Sequence, residues 1–316
     1  MTEEMTIRLF EPEDAAAVVA LYRAVYGEEY PYKDVYDPAE IIRRHDSGDT
    51  YRMVVCTPAG EVVGHVAISR PSSPNSDLYE VGQLLMRSDY RRSTAALVLL
   101  PRALEEIPAR YGIDALWGEA VCNHLFTQQM VLRDGFCETG IEVGLIPAAT
   151  GATAMQTKLS GERGSALIVF RLRQNRPQTV FVPASYEQQL RFFYEGTGCD
   201  HAWQPAPKEL PAGVATDGSV ETLPGWGVAR FAFPLAGGDF EQCLAHLESE
   251  ASAAGAVVTQ AFLRLTDAGC GAAVDVLRRW GYFLGGVMLS WFGDDALMLQ
   301  KVHLPVDFDQ IQLRSK

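Results

Sequence analysis

The chain has 316 residues, of which 47% are hydrophobic and 21% charged, and this length and balance are typical of a soluble protein with two medium-sized domains. Its formal net charge of −13 repels phosphate backbones and anionic lipid surfaces, so nucleic-acid and membrane binding are disfavoured. No run of about 18 apolar residues is present, and the acidic start lacks a signal-peptide pattern, so we expect a cytoplasmic protein.

Hydrophobic periodicity predicts alternating strands and helices in the first half of the chain. Pro101 lies inside the third helical run, where a proline removes one backbone hydrogen bond and can kink the helix. The small, polar segment 147–162 is predicted to be a loop. The predicted strands are 6–10, 51–57, 61–69, 78–86, 113–121, 138–146 and 164–173. The first helix is predicted to open at 11–14 and to have its apolar face over 18–25, and the other helical runs are 38–44, 95–100 and 126–133.

A second set of elements follows a polar boundary at 175–178, in a similar order. The predicted strands are 179–182, 227–234, 257–265, 286–291 and 296–303, the helices are 185–195, 240–254 and 272–280, and a loop rich in proline and glycine follows residue 195. Two helix ends are alike, because Val131-Leu-Arg-Asp-Gly-Phe resembles Leu277-Arg-Arg-Trp-Gly-Tyr. An internal duplication explains this similarity, and predicts domains at 1–176 and 177–316.

The cysteines give no indication of a metal or redox motif. None of the six forms a C-x-x-C pair, so a zinc site or a thioredoxin-like site has no support. We therefore expect no bound metal and free thiols in a reducing compartment.

The segment after the predicted strand 78–86 has the composition of a phosphate-binding turn. It contains Arg91 and Arg92, then two hydroxyl residues, and then small residues that begin a helix. A helix start offers unpaired amides and partial positive charge, both of which suit a pyrophosphate. Arg87 and Arg102 would extend a basic patch around it. The alternative interpretation is an ordinary helix capped by a hydroxyl residue, with solvated arginines.

In this order of elements, Asp89-Tyr-Arg-Arg-Ser-Thr-Ala-Ala resembles the acyl-coenzyme A motif of the GNAT superfamily of N-acetyltransferases, Arg/Gln-x-x-Gly-x-Gly/Ala. Arg91 takes the first place, Thr94 replaces the first glycine, and Ala96 takes the second. The resemblance implies an α/β fold, with tandem lobes that are each a mixed, mostly antiparallel sheet flanked by helices. It also implies acetyl-CoA or another acyl-CoA as co-substrate. The phosphate-binding residues would be Arg91, Arg92, Ser93, Thr94, Ala95 and Ala96.

A second motif of the superfamily is similar to the strand before Asn123 and the helix that ends at Phe136. The resemblance implies that the two strands diverge and admit the pantetheine arm, which pairs with exposed backbone as an added strand would. Leu84, Leu85 and Met86 would line that arm, and Asn123 would lie near its thioester end. The two-half layout also resembles bacterial GNAT-like proteins, some of them associated with anti-sigma-type ATPase regulators.

Catalysis of acyl transfer to an amine requires a base and often an acid for the leaving thiolate. Many GNAT enzymes carry a tyrosine four residues before the Gly-Phe pair, where this chain has Val131, and Leu277 in the second half. Direct transfer from a correctly positioned complex remains open. The candidate bases are Glu80, His65 and His124, each of which could instead be an ordinary strand or loop residue. A Cys122–His124 nucleophile pair is a less favoured alternative.

The second half has no arginine-rich turn, and Asp239 follows its two glycines and would repel phosphate. We expect that this lobe has no cofactor and packs against, or shapes, the acceptor cleft. Three functions therefore stay open: an acyl-CoA-dependent N-acyltransferase, a non-catalytic acyl-CoA-binding regulator, and a scaffold that binds a protein partner through its C-terminal lobe. The acceptor would be a small-molecule or peptide amine.

Overall fold

The computed structural model describes residues 5–30, 32–70, 73–147, 163–174 and 176–314. It is a mixed α/β fold whose sheets are mainly antiparallel and carry helices against them, which confirms the predicted fold class. The described residues form two compact units, one containing residues 5–70 and 76–118 and the other containing 73–75, 119–147 and the residues from 163 onward. This division into compact units differs from the domain boundary predicted at residue 176. That boundary separates the two sequence repeats, and it stays a prediction.

The first unit is built on a sheet of the order β1-β2-β3-β4-β5. Neighbouring strands are antiparallel except for β4 and β5, which are parallel. The strands are β1 Thr6–Leu9, β2 Thr50–Cys56, β3 Val62–Ser69, β4 Leu78–Met86 and β5 Ala115–Val121, whose last residues belong to the second unit. The helices are α1 Ala15–Tyr26, α2 Pro38–Asp46 and α3 Thr94–Tyr111. The third helix continues through both Pro101 and Pro108.

The second unit has the strand order β7-β6-β13-β14-β12-β11-β10, with a separate parallel pair β8-β9. Its strands are β6 Cys137–Ile146, β7 Gly164–Leu172, β8 Thr179–Val182, β9 Ala202–Pro205, β10 Asp217–Leu223, β11 Val228–Leu235, β12 Val258–Arg264, β13 Phe283–Met288 and β14 Ala296–Val302. Its helices are α4 Phe126–Arg133, α5 Glu187–Tyr194, α6 Phe240–Ala253 and α7 Cys270–Arg279.

Two stretches of the chain follow the same order of elements. The first is β4-α3-β5-α4-β6-β7 and the second is β11-α6-β12-α7-β13-β14, and in each the first two strands pair in parallel. The helices α4 and α7 both end at a glycine with positive φ, Gly135 and Gly281. The aromatic residue after each glycine is buried, as the sequence predicted. These observations support the proposed duplication.

Two sequence predictions differ from the structure, and a third concerns residues that the structure does not describe. The loop predicted between 195 and 227 contains the short strands β9 and β10. The strand predicted at 286–291 lies earlier, at Phe283–Met288. The loop predicted at 147–162 falls, from residue 148 onward, outside the described residues. Among the residues that are described, no helix is long and apolar enough to cross a membrane, and no three His, Cys, Asp or Glu side chains gather as metal ligands.

Candidate functional site

The strand β4 contains a bulge just beyond its pairing with β5. The parallel pairing covers residues 78–80 of β4 and ends at Glu80, opposite Trp117. The antiparallel register between β3 and β4 then shifts by one extra residue on β4, between Gly82 and Leu85. Within that interval Gln83 has a φ of 53°, which a residue with a side chain seldom adopts. A bulge of this kind bends a strand and interrupts its ladder.

Two buried side chains hold the bulge in place. The Tyr22 hydroxyl donates to Gln83 Oε1 over 2.6 Å, and His65 Nδ1 lies 3.2 Å from the Gln83 carbonyl oxygen. Both Tyr22 and His65 are completely buried. Burial, with a smaller effect of the Arg52 charge, lowers the pKa of the His65 imidazole to about 3. A neutral, enclosed imidazole suits the role of a positioning group for Gln83 better than that of the base predicted from the sequence.

Glu80 is the half-buried carboxylate at the last position of β4 that pairs with β5. It borders a cluster of tyrosines in which the Tyr30 ring lies 4.9 Å from that of Tyr26 and 5.2 Å from that of Tyr22. Burial raises the pKa of the Tyr30 phenol well above its ordinary value, and the Glu80 charge adds to the shift. This cluster was not predicted from the sequence, although tyrosines four residues apart at 22, 26 and 30 were a signal for it.

The predicted phosphate-binding turn is a 3₁₀ turn, Ser88–Tyr90, followed by the start of α3. Ser93 is the N-cap, and its hydroxyl accepts from the Ala96 amide at 3.2 Å. The capping interpretation is therefore correct, and Ser93 already satisfies one of the amides predicted to bind phosphate. The preceding amides, of Thr94 and Ala95, lie in the first turn, where a helix supplies no partner of its own. The Thr94 side chain is exposed, and that of Ala95 is buried.

The predicted patch of four arginines contains only two that are available for a ligand. Arg87 is paired with Glu61 and, over 2.8 Å, with Asp89. Arg102 is likewise paired with Glu106 on the next turn of α3. Arg91 and Arg92 are exposed, and within the described part of the chain neither has a carboxylate partner. The Arg91 Nε donates to the Met86 carbonyl at 3.3 Å, which holds its stem at the end of β4.

The residues proposed to line the pantetheine arm alternate in exposure after the bulge. Leu84 is 40% exposed, Leu85 is buried and Met86 is half-buried. In the register with β3, Leu85 lies opposite His65 and Met86 opposite Gly64. The apolar side chains therefore pack partly into the first unit. Any contact of this segment with the pantetheine arm is accordingly expected from its backbone groups.

The second unit holds the predicted residues that follow β5. Asn123 and His124 are half-buried, and burial lowers the pKa of the His124 imidazole. Cys122 is 2% exposed, and burial raises the pKa of its thiol to about 12, so the structure contradicts the Cys122–His124 nucleophile pair. Val131, at the place of the missing tyrosine, is buried.

A fully buried glutamine that the sequence analysis did not single out, Gln128, joins this region to the C-terminal segment 308–314. Its Nε2 donates to the carbonyl oxygens of Val121 and Gln312, at 3.2 and 2.8 Å. Its Oε1 accepts from the Arg314 amide at 3.1 Å, and the Gln312 amide donates to the Cys122 carbonyl at 2.8 Å. The segment thus lies along the end of β5, beside a cavity of about 750 Å³ lined by Phe126, Arg133 and Arg314.

In the second repeat, the turn at the corresponding place is already filled by the chain. The amide of Ala236 donates to Asp267 Oδ2 at 2.8 Å, that of Gly237 to Thr216 Oγ1 at 3.0 Å, and that of Gly238 to the Val214 carbonyl at 2.9 Å. An added Cβ at Gly237 would lie 2.2 Å from the Val214 carbonyl oxygen. The glycines therefore accommodate the neighbouring segment 214–216, and no amide of these three is left for a phosphate.

Several solved structures are similar to this chain. Ribosomal-protein-S5-alanine acetyltransferase from Vibrio fischeri has 11% identity and a TM-score of 0.43, over 55% of this chain and 96% of the other. Spermidine N-acetyltransferase from Vibrio cholerae has 15% identity and a TM-score of 0.41, over 54% of this chain and 94% of the other. These structural neighbours are acetyltransferases of the GNAT superfamily. No protein-family model and no curated protein matches the chain. At such low identities and TM-scores, the similarities carry no conclusion about its activity.

Proposed function

We propose that the chain is an acyl-CoA-dependent N-acyltransferase whose phosphate site is the turn before α3. The supporting observation is the contrast between the two repeats. The turn of the first has exposed Arg91 and Arg92 beside the amides of Thr94 and Ala95, for which the described part of the chain provides no partner. In the second repeat, the chain itself takes the amides of the turn before α6, those of Ala236, Gly237 and Gly238. We therefore assign acyl-CoA binding to the first lobe, proposed as 1–176, and a degenerate role to the second, proposed as 177–316.

In this proposal Arg91 and Arg92 bind the pyrophosphate with charge-assisted hydrogen bonds, and the amides at the start of α3 complete the site. The backbone of Leu84, Leu85 and Met86 holds the pantetheine arm. Glu80 acts as the base and accepts a proton from the acceptor amine. The nitrogen forms a bond to the acyl carbonyl carbon, and the carbon–sulfur bond breaks with its electron pair on the CoA sulfur, which is then protonated by solvent.

A non-catalytic acyl-CoA-binding regulator is the second candidate. It is favoured by Val131 and Leu277, which are buried and apolar at both places where a proton donor would stand. Release of free CoA thiol in the presence of a panel of amines separates the two functions, because a regulator would bind acetyl-CoA without releasing thiol. An association with anti-sigma-type ATPase regulators, through the C-terminal lobe, stays a prediction from the sequence resemblance.

The phosphate site is tested by isothermal titration calorimetry of the full chain with acetyl-CoA. We expect Arg91→Glu to weaken binding by at least about tenfold, because the variant replaces a charge-assisted hydrogen bond by repulsion. Arg110→Glu is the matched control, since it makes the same charge change on an exposed arginine in the last turn of the same helix. Equal affinities of the two variants would contradict the assignment. Absence of binding to the unmodified chain at millimolar acetyl-CoA would favour the scaffold.

A further inference from the structure

A buried cluster of four polar side chains joins the two repeats within the second unit. It consists of Glu119 of β5 and Glu142 of β6, from the first repeat, and of Arg230 of β11 and Gln260 of β12, from the second. The Glu142 side chain is 1% exposed, that of Arg230 9% and that of Glu119 21%. Gln260 is completely buried. Ionisable groups enclosed to this extent have lost most of their hydration and depend on one another for charge balance.

One guanidinium serves both carboxyl groups of the cluster. Arg230 Nη2 lies 3.1 Å from Glu119 Oε1 and 3.3 Å from Glu142 Oε1. Gln260 closes the ring, because its Oε1 accepts from Arg230 Nε at 3.0 Å and its Nε2 donates to Glu142 Oε1 at 2.8 Å. Glu221 of β10 lies opposite Arg230 in the sheet, so a third carboxylate neighbours the same cation. The single positive charge therefore cannot balance two ionised carboxylates in the cluster.

The elements packed around Glu142 bring no second cation to it within the described part of the chain. Ala166 of β7 lies opposite it, and Gln300 of β14 binds the backbone of β6 on either side of it. The guanidinium of Arg163 donates instead to the carbonyl oxygens of residues 144, 145 and 226. Lys301 of β14 is paired over 3.1 Å with a carboxylate of α6. The charge of Glu142 would thus be balanced by Arg230, which Glu119 already engages.

The second oxygen of Glu142 favours the protonated carboxyl. Oε2 is enclosed, and within the described residues it has no hydrogen-bond partner, whereas an ionised oxygen requires a donor. Burial raises the pKa of the Glu142 carboxyl, and the charge of Glu119 adds to the rise. Arg230 and Gln260 act in the opposite direction, and the resulting pKa is about 8. At neutral pH Glu142 therefore holds a proton, and the more exposed Glu119 is the partner of the Arg230 charge.

We propose that Glu142 is a pH-sensitive latch, which in its protonated form holds β5 and β6 of the first repeat against β11 and β12 of the second. In that form the cluster contains one carboxylate and one guanidinium. Loss of the proton to solvent places a second negative charge beside Glu119, where burial makes it costly. Water must then reach Glu142, and the packing of the four strands loosens. The latch does not depend on acyl-CoA binding.

The latch is tested by urea denaturation of the full chain at about pH 5 and about pH 9, with and without Glu142→Gln. The amide is neutral, like the protonated carboxyl, and its oxygen can still accept from Gln260. Above its ordinary pKa of 4.5 the carboxyl ionises in the unfolded chain but not in the folded one, so its contribution to stability falls as the pH rises to about 8 and is constant above that. We expect the variant to have the higher urea midpoint at the alkaline pH, by at least about 0.5 M, and the same midpoint as the unchanged chain at the acidic pH.

Glu209→Gln, which removes an exposed carboxylate of the same unit, is the control and should leave both midpoints unchanged. An equal effect of Glu142→Gln at the two pH values, or none, would overturn the proposal, because a role in packing alone does not depend on pH. A second measurement does not depend on the folding of that variant. The unchanged chain, with isotope-labelled glutamate carboxyl carbons, is titrated by NMR. A carboxyl signal that titrates above neutral pH supports the latch, and ionisation of every glutamate by about pH 6 overturns it.

Discussion

Glu80 is the last residue of β4 that is held by β5, and the backbone changes direction three residues later, at Gln83. Strand pairing fixes the backbone at this carboxylate, whereas, among the described residues, the segment after it pairs with β3 but not with β5. Positioning of this kind is what a general base needs, because proton transfer requires hydrogen-bond contact with the reacting group. The buried Tyr22 and His65 stabilise the bulge that follows Glu80 through their contacts with Gln83.

Glu80→Gln should therefore abolish most of the turnover without affecting co-substrate binding. We expect kcat for CoA thiol release to fall by about 10²- to 10³-fold, since the amide cannot accept the amine proton. The affinity for acetyl-CoA, measured by calorimetry, should stay unchanged. Glu29→Gln, an exposed carboxylate that follows α1, is the control. An unchanged kcat in Glu80→Gln would show that another group is the base.

At the residue scale, the sequence predicted features that depend on adjacent residues and missed those that depend on residues far apart in the chain. The helix start could be predicted from the order Arg91, Ser93, Thr94 and Ala96, because a helix start is determined by adjacent residues. The positive φ of Gln83 could not be predicted from its neighbours. It is accompanied by two contacts that Gln83 accepts from distant residues, one from the Tyr22 hydroxyl, 61 residues away, and one from the His65 ring, 18 residues away.

The C-terminal segment 308–314 interacts with Gln128 as it would with a neighbouring strand. The side-chain amide donates to the Gln312 carbonyl and accepts from the Arg314 amide, so it takes the place of one backbone unit. Because Gln128 is fully buried, its replacement leaves the backbone groups of the segment and the Val121 carbonyl without their partner. The docking of the segment thus depends on this side chain together with the hydrogen bond from the Gln312 amide to the Cys122 carbonyl.

Gln128→Leu should loosen this segment without disturbing the sheet. Hydrogen–deuterium exchange of 308–314 should accelerate by at least about tenfold, since two hydrogen bonds worth about 1 kcal/mol each are lost. Gln129→Leu is the matched control, because the neighbouring glutamine is exposed. Equal exchange rates of the segment in the two variants would mean that its other contacts hold it in place without Gln128.

At the element scale, the sequence predicted long amphipathic elements and missed short polar ones. The strand β10 has half-buried residues alternating with exposed ones and no buried residue, so its sequence Asp-Gly-Ser-Val-Glu-Thr-Leu lacks a strong apolar pattern. It forms because β11 supplies an antiparallel partner across a register shift at Asp217 and Ser219. A strand that depends on its neighbour cannot be recognised from its own residues.

The two repeats meet at equivalent residues in the second unit. Gly140 in β6 pairs with Gly286 in β13, and each lies five residues after the glycine that ends the preceding helix. An added Cβ at Gly140 would lie 2.5 Å from the Gly285 carbonyl oxygen and 2.6 Å from the Gly286 Cα. Close approach of the two strands therefore requires glycine here. The sequence similarity of the helix ends predicted the repeat, but not the pairing of the repeats with each other.

Gly140→Ala should destabilise the second unit substantially. We expect the free energy of unfolding, from urea denaturation, to fall by at least about 2 kcal/mol, because the methyl group must displace backbone atoms. Gly225→Ala is the control, since an added Cβ there meets no atom within 4 Å, and it should change stability by less than about 0.5 kcal/mol. A similar loss in both variants would contradict the importance of the contact.

Gly140 and Gly286 lie at the same place in the two repeats and pair with each other, as equivalent residues do across the interface of a symmetric homodimer. A shorter ancestor with only one repeat would have needed two molecules to build the contact that this chain makes within itself. Joining them in one gene removes the requirement that both halves stay identical. One half could then keep a binding turn before α3, while in the other the segment 214–216 came to bind the amides of the turn before α6.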